Sequence, residues 1–353
     1  WSRGLGDVYK RQVQRWLKFI KYLRNFGWEP VVYTPENPEY PVEDFSLLKD
    51  IPKDLTVIKK PIREPYRLYK KLTGKSKDQK IQTAFLAESA SKHGFLENLS
   101  VWVRGNLFIP DARKSWIKPS VKFLTNYLFQ QKIDTIITTG PPHSMHMIGY
   151  ELKKKLPISW LADFRDPWTN IDYYNQLKLT RKSDQKHHKL EKEVLTNADA
   201  VTVVSPGMIN DFTAKVERDY FFIPNGFDEA DMQTGVESKK AEEFTLSHIG
   251  SLTRTRNPEN LWQALKELLQ ENKSFANDLK LKNTGKIDYH ALDSIKKAGL
   301  EKYLTTIDYL PHEEVIEEQK NASLLLLLIN NTPNAKLILT GKIFEYLASN
   351  TPI

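Results

Sequence analysis

The chain alternates short β-rich runs with longer helical patterns, and this alternation restricts the fold more than any other feature. Ten runs are rich in β-branched and aromatic residues and are bounded by turn residues. Parallel strands need crossover connections, usually helices, so the pattern predicts an α/β fold with parallel sheets buried on both faces. The predicted strands are 30–34, 55–58, 135–139, 158–163, 200–204, 219–223, 245–249, 279–283, 304–309 and 323–329.

The strands form two series, and 353 residues are enough for two domains. The polar segment 233–243 separates the series and is predicted to be a linker between an N-terminal domain, 1–232, and a C-terminal domain, 244–353. Both are expected to be doubly wound and to bind ligands at the carboxyl ends of their strands. The predicted helices are 13–25, 120–130, 184–196, 260–271 and 313–320.

Both ends of the chain depart from this pattern. No strand precedes the helix at 13–25, and residues 1–12 show no fold pattern, so we expect them to be an artefact joined to the coding frame. The last residues indicate a helix end, a turn and the start of a strand. We therefore expect a fragment that lacks its first strand and the C-terminal end of its second domain.

The positive charge is concentrated in the first part of the chain. The net charge is +8, but residues 1–200 carry +13 and residues 201–353 carry −5. Residues 51–122 hold 16 basic and 6 acidic side chains, interleaved with aromatic residues. This stretch fits an anionic membrane surface or a solvated helical face. We expect no nucleic-acid partner, because the sequence has no RNA-binding or helix-turn-helix signature.

The absence of cysteine excludes a disulfide scaffold, a thiolate metal site and a cysteine nucleophile. No cluster with metal-ligand spacing is visible, since His187 and His188 are adjacent in a helical pattern and point to different faces. The longest apolar run, 324–329, is far shorter than the ~20 residues of a membrane span. Without a secretory signal, the expected location is the cytoplasm.

Two loops of the N-terminal domain carry candidate catalytic residues. His143 follows a Gly-Pro-Pro turn at the start of a helix and is expected to face a substrate oxygen or phosphate, although a capping turn with Ser144 as N-cap is the alternative. Asp163, Arg165 and Asp166 concentrate charge at the end of the next strand. A site is one interpretation, and a structural salt bridge of the arginine with one aspartate is the other.

A third loop of this domain lies just before the linker. Asn225, Gly226 and Asp228 belong to a Pro-Asn-Gly turn, which we expect to act as a hinge.

The second series opens with a strand followed directly by Gly250 and Ser251. Glycine lets a ligand approach the backbone, and Arg254 and Arg256 are suited to phosphate because a guanidinium presents a fixed fork of donors. An exposed loop is the alternative. The segment is neither a Walker loop nor a Gly-x-Gly-x-x-Gly motif, so neither an ATPase nor a dinucleotide dehydrogenase is supported.

The last informative segment is 340–345. Thr340 and Gly341 precede a helix start, whose backbone N–H groups suit a phosphate, and Lys342 adds a positive charge. Glu345 lies one helical turn further on and could accept hydrogen bonds from a ribose diol. An ordinary amphipathic helix is the alternative.

In this order, the motifs resemble family 4 glycosyltransferases of the bacterial envelope or exopolysaccharide type. The Gly250-Ser251 loop with Arg256-Asn-Pro-Glu, and the segment Gly341-Lys-Ile-Phe-Glu345, are similar to the donor half of these enzymes. The segments 223–228 and 163–168, and Gln14-Arg15-Trp16, are similar to the acceptor half. The resemblance implies the GT-B fold, in which two Rossmann-like domains face each other.

The resemblance further implies a retaining transferase that takes a nucleotide-diphosphate sugar as substrate and a glycan or lipid-linked acceptor. Gly250, Ser251, Arg254, Arg256 and 340–342 would bind the donor phosphates, and Glu345 would hold the ribose. No cofactor and no metal are expected. The protein would work in the cytoplasm or peripherally on the inner face of the plasma membrane, with 51–122 toward the lipid.

One position departs from the family pattern. The first glutamate of the family's paired-glutamate motif falls on Leu337. This departure keeps a non-catalytic nucleotide-sugar-binding subunit open as an alternative, beside an epimerase or phosphorylase on the same fold.

Overall fold

The structure, a computed structural model, describes residues 12–36, 45–62, 95–232 and 243–353. These residues form two compact units. The predicted linker 233–243 and the predicted artefact 1–12 lie, apart from one residue each, outside the described part. Unit one holds 12–36, 51–62, 95–224 and 336–339, and unit two holds 45–50, 225–232, 243–335 and 340–353.

Unit one contains two parallel sheets. The smaller pairs β1 (Val31–Pro35) with β2 (Thr56–Lys60). The larger has the order β3-β4-β5-β6, with every pair parallel. Its strands are β3 (Thr135–Gly140), β4 (Ser159–Phe164), β5 (Ala200–Val203) and β6 (Phe221–Phe222).

Helices cover the sheets of unit one, and side-chain caps fix where two of them begin. Thr180 accepts a hydrogen bond from the Ser183 backbone N–H, and Ser205 accepts one from Met208 before a proline at the first helical position. The helices are α1 (Gln12–Leu23), α2 (Phe95–Leu107), α3 (Lys114–Gln130), α4 (Ser144–Lys153), α5 (Arg181–Asn197) and α6 (Pro206–Thr213).

The main core of unit one lies around β4 and β5, where Trp160, Phe164 and Val201 are buried with Phe212 of α6. Burial of large apolar side chains supplies most of the stabilisation of such a layer, at about 1.5–3 kcal/mol for each. Because this core packs on the strands, it holds their carboxyl ends, and the loops that follow, in fixed positions.

Unit two has one parallel sheet in the order β10-β7-β8-β9. The strands are β7 (Thr245–Ile249), β8 (Lys280–Thr284), β9 (Leu304–Ile307) and β10 (Leu324–Leu325). The helices are α7 (Glu229–Met232), α8 (Glu259–Glu271), α9 (Lys273–Asp278), α10 (Tyr289–Lys297), α11 (His312–Asn321) and α12 (Lys342–Ala348). The strand order changes direction between β7 and β10, which makes this a doubly wound sheet with a switch point there.

All ten predicted strands are present, and the α/β class with Rossmann-like parallel sheets is confirmed. The prediction made four strands too long: 200–204 by one residue, 304–309 by two, and the remaining two by three or more. Within the run at 219–223, the strand is β6, and the Ile223 backbone N–H adds a bond to the Val203 carbonyl at 3.0 Å. Pro224 follows and cannot extend the ladder. The apolar run at 323–329 pairs only at Leu324–Leu325. Among the described residues, no helix has the length and apolar character needed to cross a bilayer.

Candidate functional site

Asp163 of β4 is enclosed at the centre of the unit-one sheet and is fully buried. Thr139 of β3 and Thr202 of β5 are its register partners on either side, and each hydroxyl donates to the carboxylate at 2.8 Å. From α1, Trp16 Nε1 donates at 2.7 Å and Arg15 Nη2 at 3.2 Å. These donors and the arginine charge outweigh burial and lower the pKa of Asp163.

Arg15 extends this network beyond the carboxylate. Its guanidinium also donates to the carbonyl oxygens of Ile223 and Pro224, at 2.8 and 2.7 Å. The ion pair with Asp163 is almost completely removed from solvent. Asp163 therefore joins α1, β3, β4, β5 and the chain after β6, and its four donors direct both oxygens into the protein. This arrangement favours an anchoring role over proton transfer for Asp163.

His143 precedes α4 and is buried, with its imidazole stacked on the Trp168 indole. Burial, with smaller contributions from His146, His187 and Arg165, lowers the pKa of His143 well below its ordinary value, so the ring is neutral at pH 7. Its Nδ1 is enclosed without a hydrogen-bond partner in the described part of the chain. Nε2 is therefore the nitrogen that the 8% exposed side chain presents to solvent.

The N-terminus of α4 is already occupied by a carboxylate of the protein. Asp111 accepts hydrogen bonds from the Ser144 backbone N–H at 2.7 Å and from the Ser144 hydroxyl at 2.5 Å. His143 is the N-cap residue and makes no side-chain cap. The alternative with Ser144 as N-cap is thus not observed, and the charge that this helix end favours comes from Asp111.

Gly140 ends β3 where no side chain would fit. A Cβ at this position would lie 2.5 Å from His146 Nε2 and 3.2 Å from His143 Nδ1. His146 is fully buried, and its Nδ1 lies 2.9 Å from the Thr138 hydroxyl. Burial lowers the pKa of His146 to about 3, so it is a neutral core histidine that packs beside His143.

Arg165 and Asp166 follow β4 in a polar, partly enclosed turn. The Arg165 side chain donates to the Pro141 carbonyl, and its backbone N–H donates to the Gly140 carbonyl at 3.0 Å. Burial raises the pKa of Asp166 to about 6, opposed by Arg165 and assisted by Asp172. Of the three carboxyl and guanidinium groups predicted at this strand end, Asp166 is the one whose pKa suits proton exchange near neutral pH.

Gly250 follows β7 at the switch point of the unit-two sheet. Its φ is +138°, which favours glycine, and a Cβ there would overlap Lys342 Nζ. Gly285, with φ +125°, lies after β8, where a Cβ would come within 2.5 Å of the Gly250 carbonyl oxygen. Two glycines thus let two strand ends meet, and Lys342 brings its ammonium to the backbone at that point.

The helix that carries Lys342 begins next to predicted residues. Gly341 is the N-cap residue of α12, and the Lys342 backbone N–H donates to the Thr340 hydroxyl at 3.4 Å. Glu345 is half-buried and accepts a hydrogen bond from Gln319 at 3.3 Å. Gly250, Thr340, Gly341 and Lys342 are thus brought to one place, and Glu345 follows one turn along the helix.

The two arginines after β7 form a short 3-10 helix, Arg254–Arg256. Arg254 has an exposed side chain, and its backbone N–H donates to Asp288 at 2.5 Å. Arg256 donates from Nε to Asn330, which follows β10 on the other side of the switch point. Ser251 is half-exposed between Gly250 and this helix.

The predicted hinge residues lie just after a boundary between the units, which divide there between Pro224 and Asn225. Asn225 lies 3.6 Å from the position of a Cβ on Gly341, and nothing crowds Gly226. Asp228 is buried and accepts from the Ala230 backbone N–H at 3.1 Å, at the start of α7. Movement about this turn stays a prediction.

One group of three carboxylates has the geometry of a metal site. Asp50, Asp228 and Asp231 of unit two have ligand oxygens within 4.8 Å of one another, and His312 Nε2 lies 3.3 Å from Asp231. The sequence did not indicate this group, because Asp50 precedes the other members by about 180 positions. Such a carboxylate group is common without an ion, and the histidine supplies part of the countercharge when it is protonated.

Leu337, at the position of the expected glutamate, packs with unit one. Its carbonyl accepts a hydrogen bond from the Ser205 hydroxyl at 2.6 Å. Gly207 has no room for a Cβ beside the Lys336 carbonyl. The sequence assigned 336–339 to the second domain with everything after 244, whereas these four residues belong to unit one.

Comparison of the sequence with protein-family models and with curated proteins found no match. Solved structures do match. WaaG, a glycosyltransferase involved in lipopolysaccharide biosynthesis, is 13% identical with a TM-score of 0.51, over 97% of this chain and 76% of WaaG. Sucrose-phosphate synthase from Thermosynechococcus elongatus is 15% identical with a TM-score of 0.50, over 88% of this chain and 68% of the synthase. The chain has the GT-B fold. At these identities the comparison shows the fold alone.

Sequence reasoning missed several residues that shape the GT-B strand ends of unit one. The motif at 14–16 predicts no role for Arg15 and Trp16, and the segment 163–168 predicts none for Trp168. No sequence pattern indicates His146 or Asp111. A usable signal existed only for Thr139 and Thr202, which lie on predicted parallel strands, because neighbours that are in register with an aspartate can donate to its carboxylate.

Proposed function

We propose that the chain is a glycosyltransferase that moves a sugar from a nucleotide-diphosphate sugar to a glycan or lipid-linked acceptor, with retention of configuration. The observation that carries the proposal is the approach of Lys342 Nζ to the Gly250 backbone at the switch point of a GT-B donor-side sheet. Open α/β sheets bind nucleotides at this place, and glycine backbone with a cation suits a diphosphate.

The donor phosphates bind at the Gly250–Ser251 backbone, the 340–342 turn and the Lys342 ammonium. Arg256 adds a second cation, which its bond to Asn330 orients, and the exposed Arg254 adds a third at the rim. Glu345 accepts hydrogen bonds from the ribose diol. Fixed cations and N–H groups stabilise the leaving nucleoside diphosphate as negative charge develops on it.

The reaction needs no metal ion and no cofactor, because these cations neutralise the leaving diphosphate. A metal-dependent reaction would instead need carboxylates that hold the ion, such as Asp50, Asp228 and Asp231. Activity retained in EDTA, and not raised by added Mg²⁺, supports the cationic mechanism. Activity that requires the ion would overturn it.

Unit one supplies the acceptor side. Neutral His143 presents Nε2 to a sugar hydroxyl, and Asp166, with its raised pKa, exchanges protons with the acceptor. Arg165 keeps the turn in place through the Pro141 carbonyl. Asp163 anchors the site through its four donors. Closure about 225–228 excludes the water that would hydrolyse the donor.

The membership in family 4 and the envelope or exopolysaccharide role rest on the motif order in the sequence. The lipid-linked acceptor is supported by the basic stretch 51–122 and by α2, which exposes Leu99, Trp102 and Leu107. Aromatic and apolar side chains beside lysine and arginine favour an anionic bilayer surface. The protein therefore works in the cytoplasm, peripherally on the inner face of the plasma membrane.

Liposome flotation tests this location. Binding to vesicles with anionic lipid at low salt, lost at high salt and weakened in W102A, is expected because screening removes the attraction. W262A, which truncates a buried tryptophan of unit two, is the control. No flotation with anionic vesicles at low salt would overturn the membrane proposal without touching the transferase.

A nucleotide-sugar panel tests the activity. Thermal shift and calorimetry identify the bound donor, and product analysis with glycan and lipid-linked acceptors reports transfer. R256A and E345A are expected to reduce turnover by about 100-fold, as for loss of an electrostatic contact to the leaving group. Unchanged turnover in both variants would contradict the assigned roles.

The product distinguishes the alternatives. An epimerised nucleotide sugar would replace the transferase by an epimerase, and tight donor binding without transfer or hydrolysis would indicate a binding subunit. The latter outcome is the one that Leu337 motivates.

A further inference from the structure

The Trp168 indole covers one face of the His143 imidazole. The ring centroids are 4.4 Å apart and the planes differ by 1°, so the rings are parallel. Trp168 is 2% exposed and belongs to the main core of unit one, which prevents the indole from turning without displacing its neighbours. The imidazole therefore has one rigid wall along its whole face.

The N–H edge of the indole is fixed by a hydrogen bond. Trp168 Nε1 donates to His187 Nδ1 at 3.1 Å. An indole N–H can only donate, so His187 Nδ1 must accept and the neutral ring carries its proton on Nε2. Burial keeps His187 in this form, because it lowers the pKa of the imidazole, against a smaller opposing effect of the Gly105 backbone.

The helix that carries His187, α5, also holds Thr169, the residue after Trp168. Glu191, one turn beyond His187 on α5, accepts from the Thr169 hydroxyl at 2.5 Å and from its backbone N–H at 3.2 Å. Lys215 pairs with the Glu191 carboxylate at 3.0 Å. Two consecutive residues of the loop are thus fixed by two consecutive turns of one helix.

We propose that Trp168 is a positioning residue for His143. The indole sets the plane of the imidazole, so that Nε2 stays directed toward the substrate hydroxyl while Nδ1 remains enclosed. The enclosed Nδ1 has no hydrogen bond in the described residues, so ring packing orients the imidazole. The Trp168 stack, at 4.4 Å between centroids, is nearer than the ring contacts with His146 and Phe164, at 6.0 and 6.2 Å. This inference rests on the proposed function, since it assigns His143 a task there, and on a geometry that can be measured without turnover.

Kinetics of four variants test the proposal in the full chain. W168L, which removes the ring, is expected to lower kcat by about 100-fold, because small misplacements of an active-site group cost this much. H187L, which removes the acceptor, is expected to lower kcat by about 10-fold, and H187Q, which keeps an acceptor, to restore most of it. The KM for the donor stays within about two-fold, because donor binding belongs to other residues. W116L, at another buried tryptophan of unit one, is expected to lower Tm without lowering kcat.

A double mutant separates positioning from general damage. If Trp168 acts through His143, W168L lowers kcat no further in an H143A background. Additive losses in the double mutant would overturn the proposal. So would a kcat of H187L equal to that of the wild type, which covers the case in which W168L fails to fold.

The second readout needs no substrate. The ring protons of His143 should be shifted upfield in NMR spectra by the indole, and this shift should disappear in W168L and persist in H187Q. A His143 resonance unchanged in W168L would overturn the proposed stack. Absence of turnover in the wild-type protein with every nucleotide sugar would instead contradict the proposed function, so the two failures are distinguishable.

Discussion

The larger sheet of unit one and the sheet of unit two carry different charged groups near their carboxyl ends. In unit one, Asp163 near the end of β4 is enclosed by four donors. Asp111, between α2 and α3, accepts a hydrogen bond at the N-terminus of α4, so both carboxylates anchor elements of the protein itself. In unit two, Arg254 is exposed and Lys342 lies beside the Gly250 backbone. Charged residues near strand ends thus form an anchor in unit one, whereas in unit two the proposed donor site places a lysine beside glycine backbone.

The difference follows from what the neighbouring strands supply. The strands beside Asp163 place threonine hydroxyls at the same register, and α1 adds an indole N–H and a guanidinium, so the carboxylate is saturated. In unit two, the strand ends carry Gly250 and the adjacent Gly285, and neither has a side chain that could donate a hydrogen bond. Where the neighbouring strands carry donors, the carboxylate is hydrogen-bonded within the protein. Where they carry glycine, the backbone permits a close approach, as by the Lys342 ammonium.

The largest expected effect is on stability, when the Asp163 carboxylate that anchors unit one is removed. D163A is expected to lower the free energy of unfolding by about 3–5 kcal/mol, because Arg15 is left buried without its ion pair. Urea unfolding measures the change. D308A, at an exposed aspartate directly after β9 of unit two, is the matched control and should cost no more than about 0.5 kcal/mol. Equal stability of D163A and D308A would contradict the anchoring role of Asp163.

Acid titration tests the buried histidines. Burial lowers the pKa of His146 to about 3, so below pH 6.5 the unfolded chain takes up a proton that the folded chain refuses. Stability is therefore present above pH 6.5 and is lost as the pH falls, at about 1.4 kcal/mol per pH unit for each such histidine. H146Q should reduce the loss between pH 7 and pH 5 by about 2 kcal/mol.

Asp166 has the opposite effect on the free energy of unfolding in the same acid titration. Its pKa of about 6 lets the folded chain bind a proton before the unfolded chain does, so acidification below pH 6 adds stability. D166N should increase the loss between pH 7 and pH 5 by about 1.4 kcal/mol. H188Q, at an exposed histidine, is the control. A loss that is the same in all three variants would contradict the assigned environments.

Substitution of Gly250 separates backbone strain from crowding. G250A should cost about 1–3 kcal/mol of stability, because φ is +138° and the added Cβ displaces Lys342. G299A has a positive φ of 73° in open space, so it reports strain alone, and G226A reports neither effect. Denaturant midpoints rank the three. Only G250A should also weaken nucleotide binding, and equal binding by all three would remove Gly250 from the site.

The smallest expected effect concerns one cation. K342A should weaken binding of the preferred nucleoside diphosphate by about 10-fold, near the value of one hydrogen bond to a charged group, with little change in Tm. K302A, at an exposed lysine before β9, is the control. Calorimetry at fixed salt measures both, and equal affinities would move the phosphate site away from Lys342.

Much of the fold was predictable because its signals are local. The ten strands and five of the twelve α-helices in the described part of the chain followed from β-rich runs, helical periodicity and turn residues, which act within a few positions. The grouping of Gly250 with 340–342 followed from the motif resemblance. The short pairing of β6 and β10 was not predictable, since an apolar run does not show how much of it meets a partner strand.

The roles of individual charges were less predictable. Asp163, Arg165 and Asp166 are nearly adjacent in sequence, yet one is saturated, one donates to a carbonyl, and one keeps a raised pKa. The sequence could not rank them, because their partners are set by tertiary contacts. Trp168 and His187 are 19 positions apart, and neither carries a pattern that predicts their hydrogen bond.

Sequence alone determined the alternation of strand and helix, the two series, and the places where strands end in glycine or charge. Those properties depend on backbone propensity and apolar spacing along neighbouring residues. Tertiary structure decided which charged side chains near strand ends are hydrogen-bonded inside the protein and which stay at the surface. Arg15 reaches Asp163 across 148 positions, and a desolvated carboxylate is stable only where such distant donors converge.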